Sequence, residues 1–67
     1  MLGKYRHFKG KEYQVLYIAR NSETLEEMVV YQALSGEHDI CVRPRSMFVE
    51  DVTLPNGRTC PRFSKTA

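Results

Sequence analysis

The chain has 67 residues, 42% of them hydrophobic and 27% charged, with a formal net charge of +2. That length permits one domain with a small core, burying about 60% of the surface the unfolded chain exposes, and the composition excludes wholesale disorder. So mild a charge does not by itself mark a phosphate-binding surface. Two cysteines, Cys41 and Cys60, are too few for a disulfide-built secreted scaffold. The longest mostly apolar stretch, Val15 to Ala19, is too short to span a bilayer.

The first extended segment is Lys4 to Phe8, with Tyr5 and His7 on one side and Lys4, Arg6 and Phe8 on the other. Lys9-Gly10-Lys11 reads as a turn. A strand follows from Glu12 to Arg20, its Tyr13, Val15, Tyr17 and Ala19 sharing one face. Both faces become apolar mid-strand, as in a strand covered on both sides over part of its length. Asn21 to Glu27 is polar, and Thr24-Leu25-Glu26-Glu27 fits a capping box that predicts one helical turn.

Met28-Val29-Val30-Tyr31 is β-branched and aromatic, which places a strand from about Glu27 to Leu34. Ser35 to Asp39 is a hairpin loop by composition, and Ile40 to Arg43 a short strand stopped by Pro44. One 3₁₀ turn is expected over Pro44 to Met47. Val49 to Leu54 and Thr59 to Phe63 form a hairpin about Pro55-Asn56-Gly57-Arg58, since Asn-Gly is the strongest two-residue hairpin signal. Residues 1–67 thus read as a single domain, with 64–67 a frayed, flexible tail. The fold expected is mostly β: a five- to six-stranded SH3-like barrel with a short helical or 3₁₀ turn.

Several segments together resemble a family of small bacterial domains described as a domain of unknown function. They are Gly3-Lys4-Tyr5-Arg6-His7-Phe8-Lys9-Gly10, Tyr13-x-Val15-Leu16-x-Ile18-Ala19-Arg20 and Ser22-Glu23-Thr24-Leu25-Glu26-Glu27, followed by Val29-Val30-Tyr31-x-Ala33-Leu34, Val42-Arg43-Pro44-x-x-Met47-Phe48 and Pro61-Arg62-Phe63. The chain departs at Cys41, where the family pattern carries a large aromatic, typically Trp. The resemblance implies an SH3-like barrel and a bacterial, cytoplasmic setting, which agrees with the absence of a signal-peptide pattern at Met1 to Arg6. It implies no activity, and fold alone supplies none.

Four constellations bear on function. His7, Arg20, Glu23, Tyr31 and Arg43 fall at strand ends or in an adjacent loop, where a barrel would gather them into one groove. Arginine offers a bidentate fork and tyrosine a stacking face, which suits a peptide or anionic ligand. The bland account of the same residues is an internal ion pair of Arg20 or Arg43 with Glu23 or Glu26. Lys4, Arg6, Lys9 and Lys11 are interleaved with Tyr5, His7 and Phe8, a pattern that binds single-stranded nucleic acid through charge and stacking. Its bland account is an edge strand guarded by lysines.

His38-x-x-Cys41 has ligand-like spacing that Cys60 and His7 could complete. Structural zinc sites show two close pairs, however, so neither a metal nor a cofactor is expected. No nucleophile elbow or Gly-rich phosphate loop is present, and an enzyme is not expected. The primary expectation is a non-enzymatic module for a protein or peptide segment, the alternative RNA or single-stranded DNA, and the weakest a metal-dependent or small-molecule activity. The aromatics Tyr13, Tyr17, Phe48 and Phe63 are assigned to the core.

Overall fold

The computed structural model describes residues 1–66. Seven strands and one short helix follow in the order β1 (Gly3–His7), β2 (Glu12–Arg20), β3 (Glu27–Ala33), β4 (Ile40–Pro44), α1 (Arg45–Phe48), β5 (Asp51–Thr53), β6 (Thr59–Pro61) and β7 (Phe63–Lys65). They make a five-stranded sheet in the order β4-β3-β2-β1-β7 and a two-stranded β5-β6 ribbon. All pairings are antiparallel. The mostly-β expectation holds, with one helical turn after Pro44. Closure into a five- to six-stranded barrel is not observed: β4 and β7 are the two edges of the larger sheet and do not pair. β1 is an inner strand, bonded on one side to β2 and on the other to β7, so it is not the lysine-guarded edge that its sequence suggests.

Two tight turns have the same construction. The His7 amide donates to Lys11 O and the Gly10 amide to His7 O, while the Leu54 amide donates to Arg58 O and the Gly57 amide to Leu54 O. Each is a three-residue loop that ends on a glycine at positive φ, +106° at Gly10 and +84° at Gly57. The Asn-Gly pair therefore sets the expected hairpin through a bulge glycine and not through a two-residue turn. In the loop after β2, the expected capping box does not form. Asn21 Oδ1 accepts from the amides of Glu23 and Thr24 instead. A single helix-like bond runs from the Leu25 amide to Asn21 O, and Leu25 then takes φ +63° and ends the turn.

The core lies on one face of the larger sheet. Val15, Val29, Tyr31, Phe48 and Phe63 are buried, with Met1, Tyr5 and Tyr13 packed against them. The register puts Tyr5 opposite Tyr13 and Val15 opposite Tyr31 on this inner face. A bulge between Val15 and Tyr17 then shifts the pairing, so that Tyr17 opposes Val30 and Ile18 opposes Val29. One extra residue flips the alternation. Tyr17, expected in the core beside Val15, therefore faces outward and is 68% exposed. Tyr13, Phe48 and Phe63 keep their expected inward positions.

The β5-β6 ribbon continues one pair beyond Asp51 and Pro61, because the Arg62 amide donates to Glu50 O at 3.0 Å. The Arg62 guanidinium also holds the Glu50 carboxylate at 2.5 Å. This clamp brings the residues that flank the ribbon together, and Phe48 and Phe63 stack with centroids 4.1 Å apart and planes 3° from parallel. Ser64 and Lys65 belong to β7, and the Thr66 amide donates to Lys4 O. The expected tail thus begins no earlier than Ala67, which lies outside the described residues.

Phe48→Ala should lower the unfolding free energy by about 3–5 kcal/mol, enough to unfold a domain whose stability is on the order of a few kcal/mol. Tyr17→Ser should change it by less than about 1 kcal/mol. Urea denaturation of both variants tests this; equal losses would contradict the inward and outward assignments.

Candidate functional site

The inner face carries a continuous set of rings. His7 meets Phe63 edge-on at 5.0 Å and Tyr13 at 6.4 Å. Tyr13 meets Tyr31 at 5.4 Å, and Tyr31 meets Phe63 at 5.7 Å. Edge-to-face contacts of this kind set a partly positive ring edge against a partly negative face and fix the geometry of each ring. At the β4 end of this set, Arg43 Nε donates a long hydrogen bond of 3.4 Å to the Tyr31 hydroxyl. His7, Tyr31 and Arg43, three of the five residues expected in one groove, thus belong to one aromatic and cationic margin of the core, with Tyr31 buried and His7 and Arg43 half-buried.

The other two do not join it. Arg20 ends β2 and donates through Nη1 to the Leu25 carbonyl at 2.8 Å. Glu23 is exposed in the following turn, where its amide bonds Asn21. His7 sits beside Lys11, just before the other end of β2, and strand rise over the nine residues of β2 is roughly 25–30 Å. Nor do Arg20 or Arg43 pair with Glu23 or Glu26. Among the described residues the ion pairs are Lys4 and Arg6 with Glu12, Arg45 with Glu27, and Arg62 with Glu50.

Those pairs leave Arg43 distinctive. Of the cations without a carboxylate partner among the described residues, Lys9, Lys11, Arg20, Arg58 and Lys65 are exposed, while Arg43 is half-buried. Arg62 contributes a second half-buried guanidinium near His7, and its Nε is buried with no hydrogen-bond partner. Sequence reasoning missed Arg62 as a site residue, although Pro61-Arg62-Phe63 was among the segments that matter. The missing information was the pairing of Arg62 with Glu50, which is distant in sequence.

His7 reports the local potential. Its Nδ1 accepts from the Lys9 amide at 3.1 Å, which favours the neutral ring. Burial, and then the positive charges of Arg62, Lys9 and Arg43, hold its pKa below the ordinary 6.5. A cavity of about 210 Å³ opens beside it, lined by Arg6, His7, Phe8, Cys60, Pro61 and Ser64. A larger one of about 350 Å³ lies against α1, but there Arg45 and Glu27 already neutralise each other at 3.0 Å.

The basic N-terminal residues divide differently. Lys4 and Arg6 point outward and share the Glu12 carboxylate at 3.9 and 3.7 Å, whereas Tyr5 and His7 point inward. Lys9 lies over the Phe8 ring at 5.9 Å and Lys11 is exposed. Basic and stacking groups therefore lie on opposite faces of β1. No three of His, Cys, Asp and Glu come together as metal ligands among the described residues. Cys41 is exposed on β4 and Cys60 half-buried on β6, both as free thiols. No helix of the described residues is long and apolar enough to cross a membrane.

The model of a family described as "protein of unknown function (DUF1653)" matches residues 3–65. The chain belongs to the DUF1653 family. A crystal structure of a DUF1653 protein from Bordetella bronchiseptica is similar to it, with a TM-score of 0.87 at 35% identity over 98% of this chain and 86% of that one. No curated protein matches the chain. The resemblance read from Gly3-to-Gly10 onward is thereby established, and with it a shared fold but no assigned activity. Within this DUF1653 chain, the site is defined by its own geometry.

Because the folded His7 pKa is lowered, the unfolded chain binds the proton more readily and stability falls with pH below 6.5. This contribution is fully present above pH 6.5 and is lost as pH drops through the folded pKa. The native chain should lose stability in that window, before carboxylates titrate, and His7→Gln should flatten the loss. Urea midpoints against pH, with the His7 ring shift followed by NMR, test it; an NMR midpoint at or above 6.5 would contradict it.

Proposed function

We propose that this DUF1653 chain is a non-enzymatic binding module that captures an acidic, extended protein or peptide segment at the surface formed by Arg43, Tyr31 and His7. The observation that carries this reading is the half-buried Arg43, which lies on the Tyr31 hydroxyl and has no carboxylate partner among the described residues. A guanidinium keeps its charge at any working pH. Withdrawn part-way from water and unpaired, it gains more from an incoming carboxylate than an exposed lysine does. Arg62 and Lys9 add to the positive potential at His7, and the half-buried Tyr13 ring supplies apolar contact at the margin of the core.

The surroundings support binding more than chemistry. Among the described residues no second acid, base or nucleophile is hydrogen-bonded to His7, and its Nδ1 is occupied by the Lys9 amide. The nucleic-acid alternative draws on fewer free cations than the sequence suggests, since Lys4 and Arg6 share Glu12. The SH3-like reading of the fold is supported by an antiparallel five-stranded sheet accompanied by a two-stranded ribbon and a short helix.

The test is an NMR titration of the labelled chain with a pool of acidic peptides of about ten residues, and separately with an oligonucleotide pool. Shifts at His7, Tyr31 and Arg43 with the peptides are expected, and Arg43→Met should weaken binding by about 10- to 100-fold, as for loss of a charge-assisted hydrogen bond. Shifts at Lys9, Lys11 and Arg58 with the oligonucleotides alone, falling steeply with salt, would replace this reading by the nucleic-acid one.

A further inference from the structure

The outer strand β4 presents an open edge whose hydrogen-bonding groups can be assigned. The Ala33 amide donates to Asp39 O at 3.0 Å, so Ala33 and Asp39 form a bonded pair. In an antiparallel ladder bonded and non-bonded pairs alternate. Tyr31 with Cys41 and Val29 with Arg43 are then bonded pairs, while Gln32 with Ile40, Val30 with Val42 and Met28 with Pro44 are not. The amides and carbonyls of Ile40 and Val42 therefore point away from β3, to the open edge. The Leu34 amide bonded to Glu12 O fixes the same phase on the other side of β3.

This edge is lightly guarded against pairing, since its proline, Pro44, is the last residue of the strand. β7, the opposite edge, is three residues long and carries Lys65. β4 has five residues, no lysine, and Ile40 and Val42 are 62% and 58% exposed on its outer face. Asp39, Cys41 and Arg43 share the inner face, given their pairing with Ala33, Tyr31 and Val29. An antiparallel strand that fits this edge must set an acid opposite Arg43, apolar residues opposite Val42 and Ile40, and a base opposite Asp39. Read backwards, Asp39-Ile40-Cys41-Val42-Arg43 is itself that strand.

We propose that β4 is a self-association edge, on which a second copy of this chain pairs antiparallel about a two-fold axis at Cys41. Ile40 of each copy then bonds Val42 of the other, giving four backbone hydrogen bonds. Ile40 packs on Val42 across the outer face, and Asp39 faces Arg43 twice across the inner face. A register centred on Val42 would instead set Arg43 opposite Cys41, without an acid, and would depend on Pro44, which has no N–H to give. The edge alone buries little area, so the pair belongs with weak, transient interfaces of less than about 1,200 Å². The pairing does not rest on the ligand reading, but both use Arg43, so an acidic segment and a second copy compete for one guanidinium.

The experiment uses the full chain carrying Cys60→Ser, so that Cys41 is its one thiol. Two-fold pairing sets the two Cys41 Cα atoms about 4.5 Å apart, within disulfide range. Diamide, which removes two hydrogens from a thiol pair and is itself reduced to the hydrazine, should convert the chain to a covalent dimer at concentrations where Val42→Pro does not cross-link. Proline at that position removes an outward amide and leaves the β3-β4 ladder intact. By sedimentation equilibrium, Asp39→Arg should weaken association about tenfold, and Asp39→Arg with Arg43→Asp should restore it. A chain that stays monomeric at about 1 mM, or a charge swap that fails to restore association in a folded variant, would overturn the proposal. Acidic-peptide binding that persists in Val42→Pro separates failure of the edge from failure of the ligand site.

Discussion

The stack of Phe48 on Phe63 is the contact on which the rest of the molecule depends. The two residues are 15 positions apart in sequence, Phe48 ending α1 and Phe63 beginning β7. The β5-β6 ribbon brings them together, and the Glu50–Arg62 clamp closes its base. Because Phe48 ends α1 and Phe63 starts β7, an edge strand of the larger sheet, their contact joins the helix and the ribbon to that sheet in one step. Tyr5 and Tyr31 then meet Phe48 edge-on at 5.4 and 5.5 Å, so the sheet's own rings are oriented by the same pair. A chain this small has five buried core side chains among its described residues, and aromatic rings supply much of the buried area such a core can reach.

The candidate site is the wet margin of that core. His7 and Tyr13 touch Phe63 on one side, and Arg43 touches Tyr31 on the other. Packing thus fixes the rings, while charge is left unbalanced beside them. The outer face shows the opposite arrangement, with Glu12 answering both Lys4 and Arg6. The difference between the two faces is what makes the inner one a candidate for an acidic partner. A positive potential of this kind persists only where burial limits screening, as it does around a half-buried guanidinium.

Much of the fold was legible in local patterns. β2, from Glu12 to Arg20, follows from its apolar run, β3 from Met28-Val29-Val30-Tyr31, and the ribbon from Asn56-Gly57. The bulge at Leu16 was not legible, because nothing in Val15-Leu16-Tyr17 distinguishes an extra residue from a regular alternation; that one residue moved Tyr17 from core to surface. The pairing of Ser64 and Lys65 with β1 depends on partners about sixty residues away, so composition suggested a tail instead. For the site, His7, Tyr31 and Arg43 were found from residue type. Arg20 and Glu23 were drawn in because a closed barrel would have gathered all strand ends, and the open sheet keeps them apart. Arg62 escaped notice because its importance comes from burial beside His7 and from Glu50, neither of which a linear pattern reveals.

The most direct test of the functional account is the His7 titration midpoint measured with and without a saturating acidic peptide. A carboxylate seated among Arg43, Tyr31 and His7 would stabilise the imidazolium and offset the surrounding cations. The account predicts that the midpoint rises on binding, and by linkage that the peptide binds more tightly as pH falls through that midpoint. A peptide that binds and leaves the His7 midpoint unmoved would place the site elsewhere on the molecule and contradict the account.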